Sequence, residues 1–152
     1  FAEKDFPKIL VINGIWMHSL STANRARKIA VSEGLSQDDV DTCYTAGLLH
    51  DLGIIALAAT NRADYEKVLD LVENEGMPLH QAEKQVFGVD HATVGGFILD
   101  LWGLPHAISE IVTFHCCPPV DLSSDPTPLS IVYTADMLAD QESQSPLENG
   151  EQ

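Results

Sequence analysis

Basic residues are what this sequence has least of. Its 152 residues carry 8 Lys and Arg against 23 Asp and Glu, a formal net charge of −15, and no Lys or Arg follows Lys84. Such a chain cannot neutralise a phosphate backbone, which argues against nucleic acid as a partner. An anionic ligand reaching the second half would have to be drawn there by a metal or by the few cations of the first half. Cysteine is scarce as well: Cys43, Cys116 and Cys117. An odd count that includes a vicinal pair offers no disulfide framework, so a reducing, cytoplasmic setting is expected. Long apolar runs are missing. The longest, 9–12 and 54–59, are far too short for a bilayer, and there is no signal peptide, so no membrane partner is expected. The chain shows no alternation of period two, no internal repeat and no linker composition, which leaves one helical domain with a sizeable core. It also lacks an initial Met, and the expectation is a piece of a longer protein.

What is present is a series of helices punctuated by Gly and Pro. The first runs from Pro7 to about Glu33, with a stripe through Val11, Ile15, His18, Thr22, Ala26 and Ile29, and is stopped by Gly34. Ser36 caps a second helix, with Asp38 and Asp39 in its first turn, where acids suit the helix dipole. That helix passes through Val40, Cys43 and Leu48 to His50-Asp51 and is expected to end at Gly53. A short apolar segment, 54–59, follows. Asn61 caps a helix from Arg62 to about Asn74, and Pro78 opens another from Leu79 to Phe87. Asp90 caps one from His91 to Trp102, and Pro105 starts one to about His115. A last helix runs from Pro128 to about Asp140, and the polar tail 141–152 is expected to be disordered. The whole reads as an all-α bundle of six to eight helices.

Several ligand-type side chains fall where the helical pattern asks for apolar ones. His18 lies in the first stripe. His115 follows Ile108, Ile111 and Val112 at helical spacing, and Asp136 follows Leu129, Val132 and Tyr133. His91 begins a helix whose face carries Gly95-Gly96, which lets a neighbour come close. A single His on an apolar face is ordinarily a core residue with one hydrogen bond. A buried Asp is rare without a partner, and the adjacent His50-Asp51 pair closes an apolar helix. Six N and O donors exceed one closed structural zinc site. They suit two divalent ions sharing a carboxylate, with Asp51 as the expected bridge. Fe, Mn, Mg and Zn are not distinguished. His80, in a first turn, and His106, after Pro105, are expected to be exposed. Cys116 is expected to point about 100° away from His115 on a helix and so to support or pack rather than ligate. Cys117 is expected to pack.

The ordered set resembles the HD superfamily of metal-dependent phosphohydrolases, and more closely its HDOD branch, a bacterial signalling module. The motifs are Trp16-Met17-His18-Ser19, Ala46-Gly47-Leu48-Leu49-His50-Asp51-Leu52-Gly53, the stretch from Glu83 through Asp90-His91 to Gly95-Gly96, Trp102-Gly103-Leu104-Pro105 and Ala135-Asp136. The resemblance covers about residues 10–140, so residues 1–140 are expected to form an HD-domain-like helical bundle. HDOD modules carry a helical lobe ahead of this region, and its lack again implies an excised piece. The resemblance implies one ion on His18, His50, Asp51 and Asp136 and a second on Asp51, His91 and His115. His50 and Asp51 would be central to any catalysis, with water between the ions as nucleophile on a phosphate ester.

The cyclic-dinucleotide phosphodiesterases of the related HD-GYP branch place a Lys three residues after the Asp, where this chain has Ile54. They place a second His where this chain has Cys116, and a Gly-Tyr-Pro signature where it has Cys117-Pro118-Pro119-Val120. Arg25, Arg27, Arg62 and Lys67 are the cations left to approach a substrate. The expectation is therefore a signal-transduction module with a retained dinuclear site, joined to receiver or sensory domains of a longer protein and binding a nucleotide or other phosphate. The competing expectation is an active phosphohydrolase.

Overall fold

The computed structural model of the chain describes residues 12–118 and 125–144. Among the described residues there are eight helices and no strand: α1 (Ile12–Ser32), α2 (Gln37–Leu49), α3 (Leu52–Thr60), α4 (Arg62–Glu75), α5 (Leu79–Phe87), α6 (His91–Leu101), α7 (His106–Phe114) and α8 (Pro128–Gln144). The expected start of α1 at residues 7–11, and the loop at 119–124, lie outside the described residues.

The punctuation follows local chemistry. Ser36, Asn61 and Asp90 each accept a hydrogen bond from the backbone N–H three residues on, satisfying a donor that the first turn leaves free. Gly34, Gly76, Gly88 and Gly103 sit at φ between 66° and 77°, the left-handed position that ends a helix with least strain in Gly. Helix α8 continues to Gln144, beyond the expected end at 140, and its Glu142 forms an ion pair with Arg25 of α1. Residues 145–152 lie outside the described residues.

Helix α1 packs on α2 and α8, α2 on α7 and α8, and α6 on α7 and α3. One core gathers Ala26, Ala30, Val40, Cys43, Ala46, Leu99, Ile111, Val112 and Val132. A smaller one gathers Ile54, Leu57, Ala58 and Tyr65. Between them lies the corner from α2 to α3. Together these two helices, Gln37–Thr60, are 24 residues long and apolar enough by length and composition to cross a membrane. Their buried residues instead fill both cores.

Gly53 does not end a helix, and 54–59 is not a mere segment. The break falls two residues earlier, at His50-Asp51. Asp51 has φ −95° and ψ 8°, and α3 starts directly after it. Gly53 serves a close approach. A Cβ there would lie 1.9 Å from the His91 carbonyl oxygen and 2.9 Å from the Gly95 nitrogen. Gly96 does the same toward α7, where a Cβ would meet the Ser109 carbonyl oxygen at 2.9 Å, as the Gly pair implied. Gly53→Ala is therefore expected to destabilise by about 3 kcal/mol, the upper end for overpacking, because backbone cannot yield as a side chain can. Gly14→Ala, with nothing within 4 Å of its added Cβ, is the control. It should be neutral or gain up to about 1 kcal/mol of helix propensity. Thermal melts of the two variants decide it, and equal melting temperatures would refute the close-packing account.

Candidate metal centre

Local structure fixes the direction of each ligand-type side chain. The His50 Nδ1 lies 2.7 Å from the Gly47 carbonyl oxygen, and the His115 Nδ1 lies 2.7 Å from the Val112 carbonyl oxygen. Both residues cap a helix C-terminus, so each ring donates back to a carbonyl the helix end leaves free. The His91 Nδ1 lies 2.5 Å from Glu83 Oε2. In all three rings Nδ1 is the donor, and Nε2 faces inward, where it can carry a proton or take a metal. This is the arrangement that orients metal-ligating histidines.

The inward atoms converge on Asp51. Its Oδ2 lies 3.1 Å from His50 Nε2 and 3.7 Å from His18 Nε2. Its Oδ1 lies 3.6 Å from His91 Nε2 and 3.9 Å from His115 Nε2. Asp136 Oδ1 joins the first side, 2.9 Å from His18 Nε2 and 3.2 Å from His50 Nε2. The structure thus brings all six sequence-selected residues together from five places in the fold: α1, the α2–α3 corner, α6, the end of α7, and α8. Asp51 presents one oxygen to each half of the cluster.

The donor set fits a cation. His50 is fully buried, and its Nε2 has no aligned hydrogen-bond partner among the described residues. A lone pair held 3.1 Å from a carboxylate oxygen is repulsive unless a proton or a metal lies between them. Three overlapping groups have donor atoms close enough to share an ion: His18, His50 and Asp136; His50, Asp51 and His115; and His91, His115 and Cys116.

The structure corrects two expectations from the sequence, those for His80 and Cys117. Helix α7 ends at Phe114 and residues 115–116 form a turn. There Cys116 Sγ lies 3.3 Å from both His91 Nε2 and His115 Nε2. His80 is half-buried rather than exposed. It lines the cavity over the cluster, with its Nε2 3.5 Å from Cys117 Sγ. His106 is exposed as expected, and Cys117 is exposed at the rim rather than packed.

One buried residue that the sequence reading gave no role is Glu83. It is completely buried, takes a hydrogen bond from the Tyr65 hydroxyl at 3.0 Å, and holds both the backbone N–H and the ring of His91. The signal was there: Leu79, Ala82, Glu83 and Val86 fall at i, i+3, i+4 and i+7, so Glu83 stands in the apolar stripe of α5.

A cavity of 360 Å³ opens over the cluster, lined also by Ile54, Tyr133 and Asp140. None of its lining residues among the described ones is Lys or Arg. Arg25 is paired with Glu142, Arg27 lies 3.8 Å from the centroid of the Tyr44 ring, Arg62 is paired with Glu66, and Lys67 is paired with Asp64.

The charges respond to this crowding. Burial pushes the His50 imidazole down, but Asp51 and Asp136 beside it reverse the effect and raise it well above the usual range. Burial likewise opposes His91, and Cys116, Glu83 and Asp51 raise it. Burial and the neighbouring His50 bring His115 down to about 4. Asp51 and Asp136 are driven up by burial and further down by the histidines, ending below the usual carboxylate range.

A pH dependence follows for metal-free protein. The raised His50 and His91 contribute stability that is complete below their unfolded value near 6.5 and lost as pH rises through their folded values. The lowered His115 contributes in the opposite sense, losing stability as pH falls from about 6.5 toward 4. Metal-free protein should therefore melt lower at pH 9 than at pH 7. Metal takes the place of the protons, so the rise in Tm on adding zinc should be larger at pH 9. A metal-free Tm that climbs over this interval would contradict the assignment.

Comparisons with known proteins show the family and the fold. A model of the HDOD domain matches residues 1–118. An uncharacterized protein of Treponema pallidum (strain Nichols) is 25% identical over 101 residues, 66% of this chain and 20% of that protein. An HDOD domain protein of unknown function from Geobacter sulfurreducens has a crystal structure matching at TM-score 0.71 and 28% identity, covering 89% of this chain and 46% of that one. The crystal structure of a putative phosphohydrolase from Shewanella amazonensis SB2B matches at TM-score 0.72 and 20% identity, covering 86% and 47%. At that identity the Shewanella match shows the fold alone. The chain spans about a fifth of the Treponema protein and under half of each structure.

Proposed function

The chain belongs to the HDOD domain family, and on that premise we propose that it is a metal-holding signalling module that acts mainly by binding. The ligand would be a nucleotide or other phosphate, or a partner domain such as the receiver or sensory domain of a longer protein. One observation carries the reading. Among the described residues the cavity over the cluster has no Lys or Arg in its lining, while Ile54 and the carboxylates of Asp136 and Asp140 stand in it. Phosphoryl transfer depends on charge stabilisation and positioning, and no described side chain lining the cavity is a fixed cation.

His18, His50, Asp51 and Asp136 would hold one ion, and Asp51, His91 and His115 would hold a second. When bound, such ions supply the positive charge that attracts a phosphate and polarises it. The chain's own residues orient and exclude. Gly47, Val112 and Glu83 fix the three rings. Ile54 is buried and presents hydrocarbon to the cavity. Asp140, with its Oδ1 3.7 Å from His18 Nδ1, sets a carboxylate against any anion that does not reach the ions.

A hydrolytic reading has one observation in its favour: the complete set of inward-facing histidines and carboxylates around Asp51, in a fold shared with a putative phosphohydrolase. Protein purified without chelator, loaded with manganese or iron and offered phosphate esters that include cyclic dinucleotides, separates the two. The proposal expects about two ions per chain and saturable ligand binding without turnover. Hydrolysis that disappears in Asp51→Asn would replace the binding reading with the hydrolytic one.

A further inference from the structure

We infer that Cys116 is a ligand of the second ion, and that this position is a closed four-donor site for a thiophilic divalent cation of the zinc class. The inference rests on reading the cluster as a metal centre and goes beyond it by naming a donor and the type of ion.

Three donors meet at this point from two helix ends. Cys116 Sγ is 3.3 Å from His91 Nε2 and 3.3 Å from His115 Nε2. Asp51 Oδ1 is 3.6 Å and 3.9 Å from the same two nitrogens. Zinc bonds of about 2.3 Å to sulfur and about 2.0–2.1 Å to nitrogen and oxygen give tetrahedral edges of roughly 3.3–3.6 Å. The sulfur–nitrogen edge is roughly 3.6 Å, so the Cys116 contacts are slightly short, and the nitrogen–oxygen edge is roughly 3.3 Å, so the Asp51 contacts are somewhat long; small side-chain adjustments bring the donors onto one ion. Both rings are buried and already held at Nδ1, by Glu83 and by the Val112 carbonyl, so their Nε2 atoms are left facing the cluster. His50, buried beside them, contributes the orphaned Nε2 on the other side of Asp51.

Ligation breaks the Cys116 S–H bond. The proton leaves to solvent, and the sulfur electron pair goes to the ion. No electron changes hands and no co-reactant is needed. A thiolate disfavours magnesium and manganese and favours zinc or ferrous iron. Four protein donors also leave no open position, the mark of a structural rather than a catalytic zinc site.

Cobalt titration tests the assignment without measuring activity. Metal-free wild-type protein is titrated with Co²⁺, with visible bands reporting total cobalt and a near-ultraviolet charge-transfer band reporting thiolate coordination. The expected result is two equivalents bound and a charge-transfer band that saturates with the intensity of one thiolate. Cys116→Ser should abolish the band, retain one tight equivalent and weaken the other by about 100-fold, the upper end for disturbing a ligand's surroundings. Cys117→Ser should leave the band intact, since Cys117 Sγ faces His80. Two cobalt equivalents with no charge-transfer band in wild type would overturn the inference and leave the metal centre standing. A band lost in Cys117→Ser and kept in Cys116→Ser would also overturn it. No bound cobalt at all would remove the metal centre itself.

Discussion

Asp51→Asn is expected to cut the metal capacity of the protein from two ions to no more than one, in a chain that still folds. Two dications about 4 Å apart repel by roughly 16 kcal/mol at an effective dielectric of 20, four times the figure for unit charges. The anionic donors within reach are Asp51, Asp136 and the Cys116 thiolate, and only Asp51 faces both halves of the cluster. Making it neutral leaves His18, His50 and Asp136 able to take an ion, and His91, His115 and Cys116 able to take an ion. It removes the shared charge that lets both positions fill together. The size follows from linkage. An ion present at a thousandfold excess over its Kd stabilises by about 4 kcal/mol, which is roughly 8–16 °C of Tm for a domain of this size. Chelator should therefore lower the Tm of wild type by about twice as much as that of Asp51→Asn. Elemental analysis gives the stoichiometry directly. Two ions retained at wild-type affinity would remove Asp51 from its place as the bridge.

How far the sequence discloses this centre depends on the kind of signal each residue carries. His18, His115 and Asp136 break apolar stripes, and periodicity exposes them. His50 and Asp51 stand out as two polar neighbours closing an apolar helix. The caps at Ser36, Asn61 and Asp90 and the stop at Gly34 are local chemistry, so they read correctly. Gly53 did not, because a stop and a close approach look alike along the chain. Its partner is the His91 carbonyl, 38 positions away, and only the packed helices reveal it. The approach of Cys116 to His91, 25 positions away, depends on how α6 packs on α7, which the order of residues does not show. His80 was set aside on a rule about first turns, whereas the helix that carries it leans over the cavity. Helix α8 runs past the expected end and carries a cross-helix pair between Arg25 and Glu142, a partner that a reading of neighbouring residues cannot supply.

Glu83→Ala should be among the most damaging changes outside the ligands themselves. Three donors lose their acceptor at once: the Tyr65 hydroxyl, the His91 backbone N–H and His91 Nδ1. Glu83 is completely buried and His91 nearly so, so no bulk water replaces the lost contacts. Removing one partner of a buried charged pair costs about 3–5 kcal/mol, because the other partner is left uncompensated. Metal-free Glu83→Ala should therefore melt roughly 6–20 °C below wild type. A second readout separates positioning from mere packing. With its Nδ1 acceptor gone, the His91 ring loses its tautomer and its aim, and the ion at His91 and His115 should bind about 10–100-fold more weakly. Glu83→Gln keeps the shape and one carbonyl acceptor but not the charge. It should restore most of the melting temperature and only part of the zinc affinity, measured by competition with a chelating dye. If Glu83→Ala lost stability while zinc affinity stayed at the wild-type value, Glu83 would be a packing residue. The His91 ring would then be oriented by its remaining neighbours alone.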